Sequence, residues 1–287
     1  MALAPDPQSA ADYTDRVSDA VKSALMEIGQ ILGSFEGKFA VVGGAVPWLL
    51  LEADDMQHVG TIDIDLTLDA AALGDGEYVR LIEALMGNGY EQSKAHRKFQ
   101  LVRMVKVADG GPPVEVIVDF LMPRDAEVEK HIPPLLSEFA VQRASGADLA
   151  VRFPQLTAIE GVMPGGGRNR VQVAVASIPA LLAMKGHALM RRQKRKDAYD
   201  VYYCIRNYEG GPEVLAEACR PLLDIKDASE GYRGIAAKFA KEDMIGPVWV
   251  RQFVEGTPHI GDRTPEQWQV DAFGQVQAWM KALGLVG

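Results

Sequence analysis

The chain is poor in cysteine and has no long hydrophobic run. Of its 287 residues only Cys204 and Cys219 are cysteines, and their spacing matches no metal-binding motif. No apolar run approaches the ~20 residues that a membrane-spanning helix requires, and residues 1–16 lack the apolar stretch of a signal peptide. These absences predict a cytoplasmic protein without disulfides and without a membrane partner.

Histidines are also few, and acidic residues outnumber basic ones. The histidines are scattered without the spacing of zinc ligands, so a zinc site is not predicted. The formal net charge of −9 argues against a protein whose whole surface coats nucleic acid, although a local basic patch remains compatible with it. The length and apolar content suit one large domain or two ordinary ones. The five histidines are His58, His96, His131, His187 and His259.

Two aspartates interrupt an otherwise apolar run. Asp63 and Asp65 lie within Thr61–Leu68, where Ile62, Ile64 and Leu66 alternate with them. Side chains alternate between the two faces of a strand, so both carboxylates point the same way, with Cα atoms about 6.5 Å apart. Neighbouring carboxylates repel each other unless a cation neutralises them, and hard oxygen ligands suit Mg²⁺. The pair therefore predicts a metal site.

A glycine pair precedes the aspartates. Gly43 and Gly44 follow the strand-like run Phe39–Val42 and precede Ala45–Leu51, which has a helical pattern. Glycines let the backbone approach phosphate oxygens and turn its amides toward them at the start of a helix. We therefore expect Gly43 and Gly44 to receive a triphosphate.

A third acid follows in a predicted hairpin. The strand-like runs Phe99–Val107 and Val114–Leu121 are separated by a cluster of turn residues, and the second run carries Asp119. Strand pairing would bring Asp119 within reach of Asp63 and Asp65. Three such carboxylates suit two Mg²⁺ ions about 3.5 to 4 Å apart, one activating an attacking hydroxyl and one carrying the triphosphate. The alternative is a solvent-exposed strand that happens to be acidic, beside a glycine turn that only connects two elements.

The pattern of apolar residues predicts the fold class. Helical spacing recurs in the segments 12–32, 77–86 and 177–189, and then in 212–223, 232–240 and 266–283. The last of these opens with a capping box at Thr264. We predict an α/β (α+β) fold, with a mixed sheet and flanking helices in domain 1–176 and a mostly helical C-terminal domain over 177–287.

A basic segment follows Lys185. On an unbroken helix, Lys185, Arg192, Lys196 and Asp200 would lie within an arc of about 80°. If residues 191–196 form a loop, Lys185 and Asp197 still meet, with Asp197 capping the second helix. We interpret Lys185 as neutralising the triphosphate and the basic residues as contacting substrate phosphates, whereas the alternative is a solvated charged face. The basic residues are Arg191, Arg192, Lys194, Arg195 and Lys196.

The order of these motifs resembles a known group. Val41-Val42-Gly43-Gly44 followed by Thr61–Leu66 is similar to the signature of the nucleotidyltransferase superfamily with the DNA polymerase beta-like fold. Met184–Ala188, Arg191-Arg192 and Lys196–Tyr202 resemble the AbiEii-type nucleotidyltransferases, toxins of bacterial type IV toxin–antitoxin systems. The resemblance covers about residues 39–206. One departure is Ala45, which follows the glycine pair where the superfamily usually has serine or threonine.

The resemblance implies an activity and assigns roles. It implies an EC 2.7.7-type enzyme that moves a nucleoside monophosphate from a nucleoside triphosphate to an acceptor hydroxyl with Mg²⁺, or Mn²⁺ in its place. RNA, such as the 3′ end of a tRNA, is the expected acceptor, and a cognate antitoxin the expected protein partner. By motif position, Asp63 and Asp65 bind metal, Lys185 contacts the nucleotide and Asp197 is needed for activity.

The remaining site residues complete this assignment. Asp119 would complete the metal site and help deprotonate the acceptor, while Arg192 and Asp200 would bind the nucleotide. Two alternatives stay open. In the first, the acceptor is a small hydroxylated molecule, such as an aminoglycoside, or a protein side chain. In the second, the protein binds nucleotides without catalysis, which the missing hydroxyl at Ala45 favours.

Overall fold

A computed structural model describes residue 7 and residues 9–52, 56–69, 72–73, 76–93, 95–124, 142–255 and 263–286. These residues divide into two compact units. The first is built from Thr14–Val46 and Gly60–Ser177, and the second from Pro47–Val59 and Ile178–Gly287 together with residues 9–13. Within the described part of the chain, no helix combines the length and apolar character needed to cross a membrane.

The first unit contains a seven-stranded mixed sheet. The strands run in the order β3-β4-β2-β1-β7-β6, and β5 pairs with β4. Neighbours are parallel in β1–β7, β2–β4 and β4–β5, and antiparallel in β1–β2, β3–β4 and β6–β7. The predicted hairpin is confirmed as β3–β4. The strands are β1 (Phe39–Val42), β2 (Asp63–Leu68), β3 (Gln100–Val105), β4 (Val114–Pro123), β5 (Gln142–Ala144), β6 (Pro154–Val162) and β7 (Arg168–Ala176).

Four short or medium helices accompany these strands along the chain. They are α1 (Asp15–Ile31), α2 (Ala45–Leu50), α3 (Glu77–Gly87) and α4 (Ala147–Arg152). Helix α1 begins at Thr14, whose hydroxyl accepts a hydrogen bond from the backbone N–H of Val17.

Helix α1 covers one face of the sheet. Glu27 of α1 pairs with Arg103 of β3 at 2.9 Å, and Arg103 lies opposite Val116 of β4. The face that carries Val116 is therefore the face that α1 covers. Because side chains alternate along β4, Asp119 points to the other face, and Asp65, which lies opposite Asp119, points there as well.

The second unit is helical, as the sequence predicts for this part of the chain. Its helices are α5 (Ile178–Arg191), α6 (Arg195–Asn207), α7 (Gly211–Cys219), α8 (Lys226–Lys238), α9 (Ile245–Val254) and α10 (Pro265–Leu283). The predicted capping box of α10 is confirmed between Thr264 and Gln267. The alternative of one unbroken helix through Lys185 and Asp200 is wrong, since the chain leaves helical structure between Arg191 and Arg195.

Some elements were not predicted. Strand β6 lies at the edge of the sheet, and Ile159 is the only one of its residues that is fully buried, so its sequence has no apolar alternation to detect. Strand β5 has three residues and α4 has six, which is too short for a periodic pattern.

Helices α5 and α8 cross with their backbones almost in contact. A Cβ atom built on Gly186 would lie 1.8 Å from the carbonyl oxygen of Gly231, and one built on Gly231 would lie 2.1 Å from the carbonyl oxygen of Ala183. Backbone atoms of a helix cannot rotate away as a side chain can. Glycine at both positions is therefore required for this spacing.

We predict that Gly231→Ala destabilises the protein. The added methyl group would force α5 and α8 apart, and we expect the free energy of unfolding in urea to fall by about 1–3 kcal/mol, the usual range for overpacking. The matched control is Gly274→Ala in α10, where a Cβ atom meets nothing within 4 Å. Alanine there should stabilise the helix by about 0.5–1 kcal/mol. Equal effects of the two substitutions would contradict the close crossing.

Candidate active site

A row of polar side chains crosses three neighbouring strands of the first unit. Asp65 of β2 lies opposite Asp119 of β4, and Asp119 lies opposite Gln100 of β3. Paired residues point to the same face, and neighbouring strands are about 4.8 Å apart. Asp63 precedes Asp65 by two residues and shares its face. The structure therefore brings the three predicted metal ligands together on one face, all half-buried.

Two neutral side chains donate hydrogen bonds to the carboxylates of Asp63 and Asp119. The hydroxyl of Thr61 donates a hydrogen bond to Asp63 Oδ1 at 2.8 Å, and Gln100 Nε2 donates to Asp119 Oδ1 at 2.7 Å. Sequence reasoning did not single out either donor. Thr61 lies close to Asp63 in sequence and could have been found, whereas Gln100 is recognisable only once the pairing of β3 with β4 is known.

The glycine turn makes room for Asp65. Gly43 has a φ of 73°, in the left-handed region that favours glycine. A Cβ atom built on Gly43 would lie 1.9 Å from Asp65 Oδ2 and 3.1 Å from the Cβ of Asp65. Gly43 is thus required by the position of Asp65 as well as by its own backbone conformation. The predicted contact of Gly43 and Gly44 with phosphate stays a prediction.

The chemistry of this donor set fits Mg²⁺. Asp63, Asp65 and Asp119 offer only carboxylate oxygens, the hard ligands that Mg²⁺ prefers. Their assignment as metal ligands stays a prediction.

A second polar cluster lies within the second unit, around Lys185. Its ammonium group donates to Asp197 Oδ1 at 2.8 Å and to Asp200 Oδ2 at 2.7 Å. Asp197 also accepts two hydrogen bonds from Arg192, at 2.7 and 3.0 Å. The alternative with a loop between two helices is thus the right one, and Lys185 meets Asp197 across it. Asp197 does not cap α6, however, because it lies in the first turn and Lys194 occupies the cap position.

Asp200 is the other centre of this cluster. Its Oδ1 accepts from Lys196 at 2.8 Å and lies 3.0 Å from His58 Nε2. Asp200 is fully buried and Lys196 is 3 % exposed, so Lys196 points inward and is not part of a solvated basic face. This geometry supports a role for Asp200 in holding Lys185. Its predicted contact with the nucleotide is untested.

The charges of the cluster fix its protonation. Burial alone would lower the pKa of Lys185, but the carboxylates of Asp197 and Asp200 outweigh it and raise that pKa above its ordinary value. Burial would likewise raise the pKa of both aspartates, and the neighbouring cations, Lys185 foremost, hold those pKa values below the ordinary one. Burial and the charge of Lys196 lower the pKa of His58 to about 4. His58 is therefore neutral at pH 7.

His187 contacts the backbone of the second unit. Its Nε2 lies 2.7 Å from the backbone carbonyl oxygen of Asp227. His187, Asp227 and Glu230 also have possible ligand atoms within 4.8 Å of one another. Sequence spacing did not indicate this group, because the fold brings the three residues together from two helices.

Comparison with known proteins identifies the family. Residues 33–276 match the family described as nucleotidyl transferase AbiEii toxin of type IV toxin–antitoxin systems. The chain belongs to this family of nucleotidyltransferase toxins, which confirms the resemblance seen in its motifs.

Two solved structures match most of the chain at low identity and with TM-scores below 0.5. A candidate nucleotidyltransferase from H. pylori is 14% identical with a TM-score of 0.44, over 93% of this chain and 96% of that chain. MenT4, a nucleotidyltransferase toxin from Mycobacterium tuberculosis H37Rv, is 13% identical with a TM-score of 0.42, over 97% of this chain and 99% of that chain. No curated protein matches the chain.

We predict that Gly43→Ala disturbs Asp65. The control is Gly37→Ala, because Gly37 has a similar φ of 76° but a Cβ atom there meets nothing within 4 Å. Both substitutions carry the left-handed backbone penalty of about 1–2 kcal/mol. We expect Gly43→Ala to lower the free energy of unfolding by about 1 kcal/mol more than Gly37→Ala does. In an Asp65→Ala background most of this excess should disappear, and an unchanged excess would refute the steric account.

We predict that His58 makes stability depend on pH between about 4 and 6.5. In this range the unfolded chain binds a proton at His58 that the folded chain does not bind, so the free energy of unfolding falls as pH falls. From pH 7 to pH 5 the loss should be about 2 kcal/mol. In His58→Gln this part of the slope should vanish. Protonation of Asp197 and Asp200 lowers the free energy of unfolding only below about pH 4, because their pKa values in the folded protein are lowered. Parallel slopes for both proteins would refute the prediction.

Proposed function

We propose that this nucleotidyltransferase uses Mg²⁺ bound by Asp63, Asp65 and Asp119 to transfer a nucleoside monophosphate to RNA. The observation that carries the proposal is the pairing of Asp65 with Asp119 on adjacent strands, with Asp63 on the same face. Like charges opposite each other destabilise a sheet, so three clustered carboxylates point to a role for their charge. Bound Mg²⁺ would neutralise the carboxylates and the phosphates and lower the pKa of the acceptor hydroxyl.

The reaction forms one bond and breaks another at the α-phosphorus of the triphosphate. The acceptor oxygen bonds to this phosphorus, the bond to the oxygen that bridges to the β-phosphate breaks, and pyrophosphate leaves. Asp119 would take the proton of the acceptor hydroxyl. The amides of the Gly43-Gly44 turn would bind the triphosphate, and Thr61 would keep Asp63 oriented.

By resemblance to the family, Lys185 and Arg192 are proposed to bind the nucleotide. An ammonium group has three N–H donors, and Lys185 uses two of them for Asp197 and Asp200. We assign the third to the triphosphate. Arg192 would add a second positive charge, since its side chain is 50% exposed while it pairs with Asp197. Asp197 thereby serves as the positioning residue of Lys185.

The proposed acceptor is RNA, such as the 3′ end of a tRNA. The support is the basic segment between α5 and α6, where Arg191 and Arg192 are exposed and Lys194 and Arg195 are half-buried. Such residues contact phosphates without reading sequence, and binding through them weakens as salt concentration rises. Membership of a type IV toxin–antitoxin family implies a cognate antitoxin as protein partner.

We predict that the purified protein labels RNA. It is incubated with total bacterial RNA, Mg²⁺ and each of the four α-labelled nucleoside triphosphates in turn. Labelled RNA of tRNA size is expected with one or more of them, and its appearance would identify the donor base as well as the acceptor. In Asp63→Asn the rate should fall by about 1,000-fold or more, as when a catalytic group is removed.

The control variant removes a carboxylate from the same strand and face as Asp119. Glu115 precedes Asp119 by four residues on β4 and is exposed. Glu115→Gln should keep the wild-type rate. Full labelling by Asp63→Asn would disprove the metal site, whereas labelling of a small molecule or a protein, but not of RNA, would disprove the acceptor.

A further inference from the structure

Gln100 is placed to act on Asp119. The two residues are directly opposite each other in the β3–β4 pair, and Gln100 Nε2 donates to Asp119 Oδ1 at 2.7 Å. Gln100 thus extends the row formed by Asp65 and Asp119 by one strand, on the same face of the sheet. None of the motifs that carry the resemblance to the family includes Gln100.

The orientation of the Gln100 amide is fixed from its other end. Gln100 Oε1 accepts a hydrogen bond from the backbone N–H of Arg97 at 2.9 Å. An N–H group can only donate, so it selects the oxygen of the amide and turns the NH₂ group toward Asp119. The Gln100 side chain therefore accepts one hydrogen bond and donates another, and it presents its N–H donor to Asp119.

The hairpin itself does not require this contact. Strand pairing between β3 and β4 continues from Gln100 to Val105, and the next pair on the same face is Val102 with Ile117. These apolar residues and the backbone ladder hold the register without a polar side-chain pair. The bond from Gln100 to Asp119 therefore acts on the carboxylate rather than on the strand.

We propose that Gln100 is the positioning residue of the metal site. Its amide fixes the plane of the Asp119 carboxylate in the orientation in which Asp119 binds a divalent cation, while Thr61 does the same for Asp63. Neutral donors suit this task, because they orient a carboxylate without neutralising the charge that attracts the metal. The inference rests on the proposed function, since it assumes that Asp119 is a metal ligand.

The test measures binding of Mn²⁺ to the full chain, followed by the paramagnetic signal of the free ion. Gln100→Met keeps the volume of the side chain and removes both amide atoms. We expect the Mn²⁺ dissociation constant to rise about 10-fold, as for other residues that orient metal ligands. Pyrophosphate release by Gln100→Met should be low at the Mg²⁺ concentration that suffices for the wild type and should recover at higher Mg²⁺. Gln100→Asn, whose amide is one methylene too short, should give the same shift.

Two further variants separate the possible results. Gln172→Met changes an exposed glutamine of β7 and should keep the wild-type dissociation constant. Asp65→Asn should lose Mn²⁺ binding. If Asp65→Asn loses binding but both Gln100 variants keep wild-type Mn²⁺ affinity and Mg²⁺ requirement, the role of Gln100 is overturned and the metal site stands. If Asp65→Asn binds Mn²⁺ as well as the wild type does, the metal site is wrong and both proposals fall.

Discussion

The constraint on which the first unit depends is the pairing of two carboxylates on adjacent strands. Asp65 and Asp119 are opposite each other in a parallel pair, where strands are about 4.8 Å apart and like charges destabilise the sheet. The surrounding residues accommodate this cost. The opposite face is mostly apolar and covered by α1. Asp63 and Asp119 accept hydrogen bonds from neutral donors, and Gly43 leaves the space that Asp65 occupies. A fold optimised only for stability would place apolar or oppositely charged residues in this row.

In the second unit, by contrast, the buried carboxylates are neutralised by neighbouring cations. Asp197 and Asp200 are buried completely, but each is bonded to cations from the same unit, which offsets the cost of removing charge from water. The side chains of this network are held in place, because the loss of one partner would leave a buried charge without a counter-charge. Lys185 is buried against both aspartates, so the position of its ammonium group is fixed more tightly than that of an exposed lysine. Such pre-organisation would suit the proposed role of Lys185, which is to meet the charge of a triphosphate.

The sequence predicts local features of the fold well and long-range features poorly. Strand β1 has the predicted bounds, Asp63 and Asp65 lie on one face of a strand, and the hairpin and the capping box at Thr264 are present, because each depends on residues close in sequence. The bond from Gln100 to Asp119 and the bond from His58 to Asp200 depend on strand register and helix packing between residues that are distant in sequence. Lys196 shows a related limit. Its pairing with Asp200, one helical turn away, is local, but the burial of that face of α6 depends on helix packing, which its basic neighbours in sequence do not indicate.

The position of Ala45 bears on whether the site is active. An alanine in place of the usual hydroxyl residue favours, from sequence alone, a protein that binds nucleotides without catalysis. In the structure Ala45 is the first residue of α2 and is only 1% exposed. A hydroxyl buried at this position would need a hydrogen-bond partner or would destabilise the fold, by about 1–3 kcal/mol in mutational data. Packing at this turn therefore explains the alanine. Stability alone does not favour carboxylates opposite each other on adjacent strands, so the three aspartates weigh more than Ala45 and favour an active enzyme.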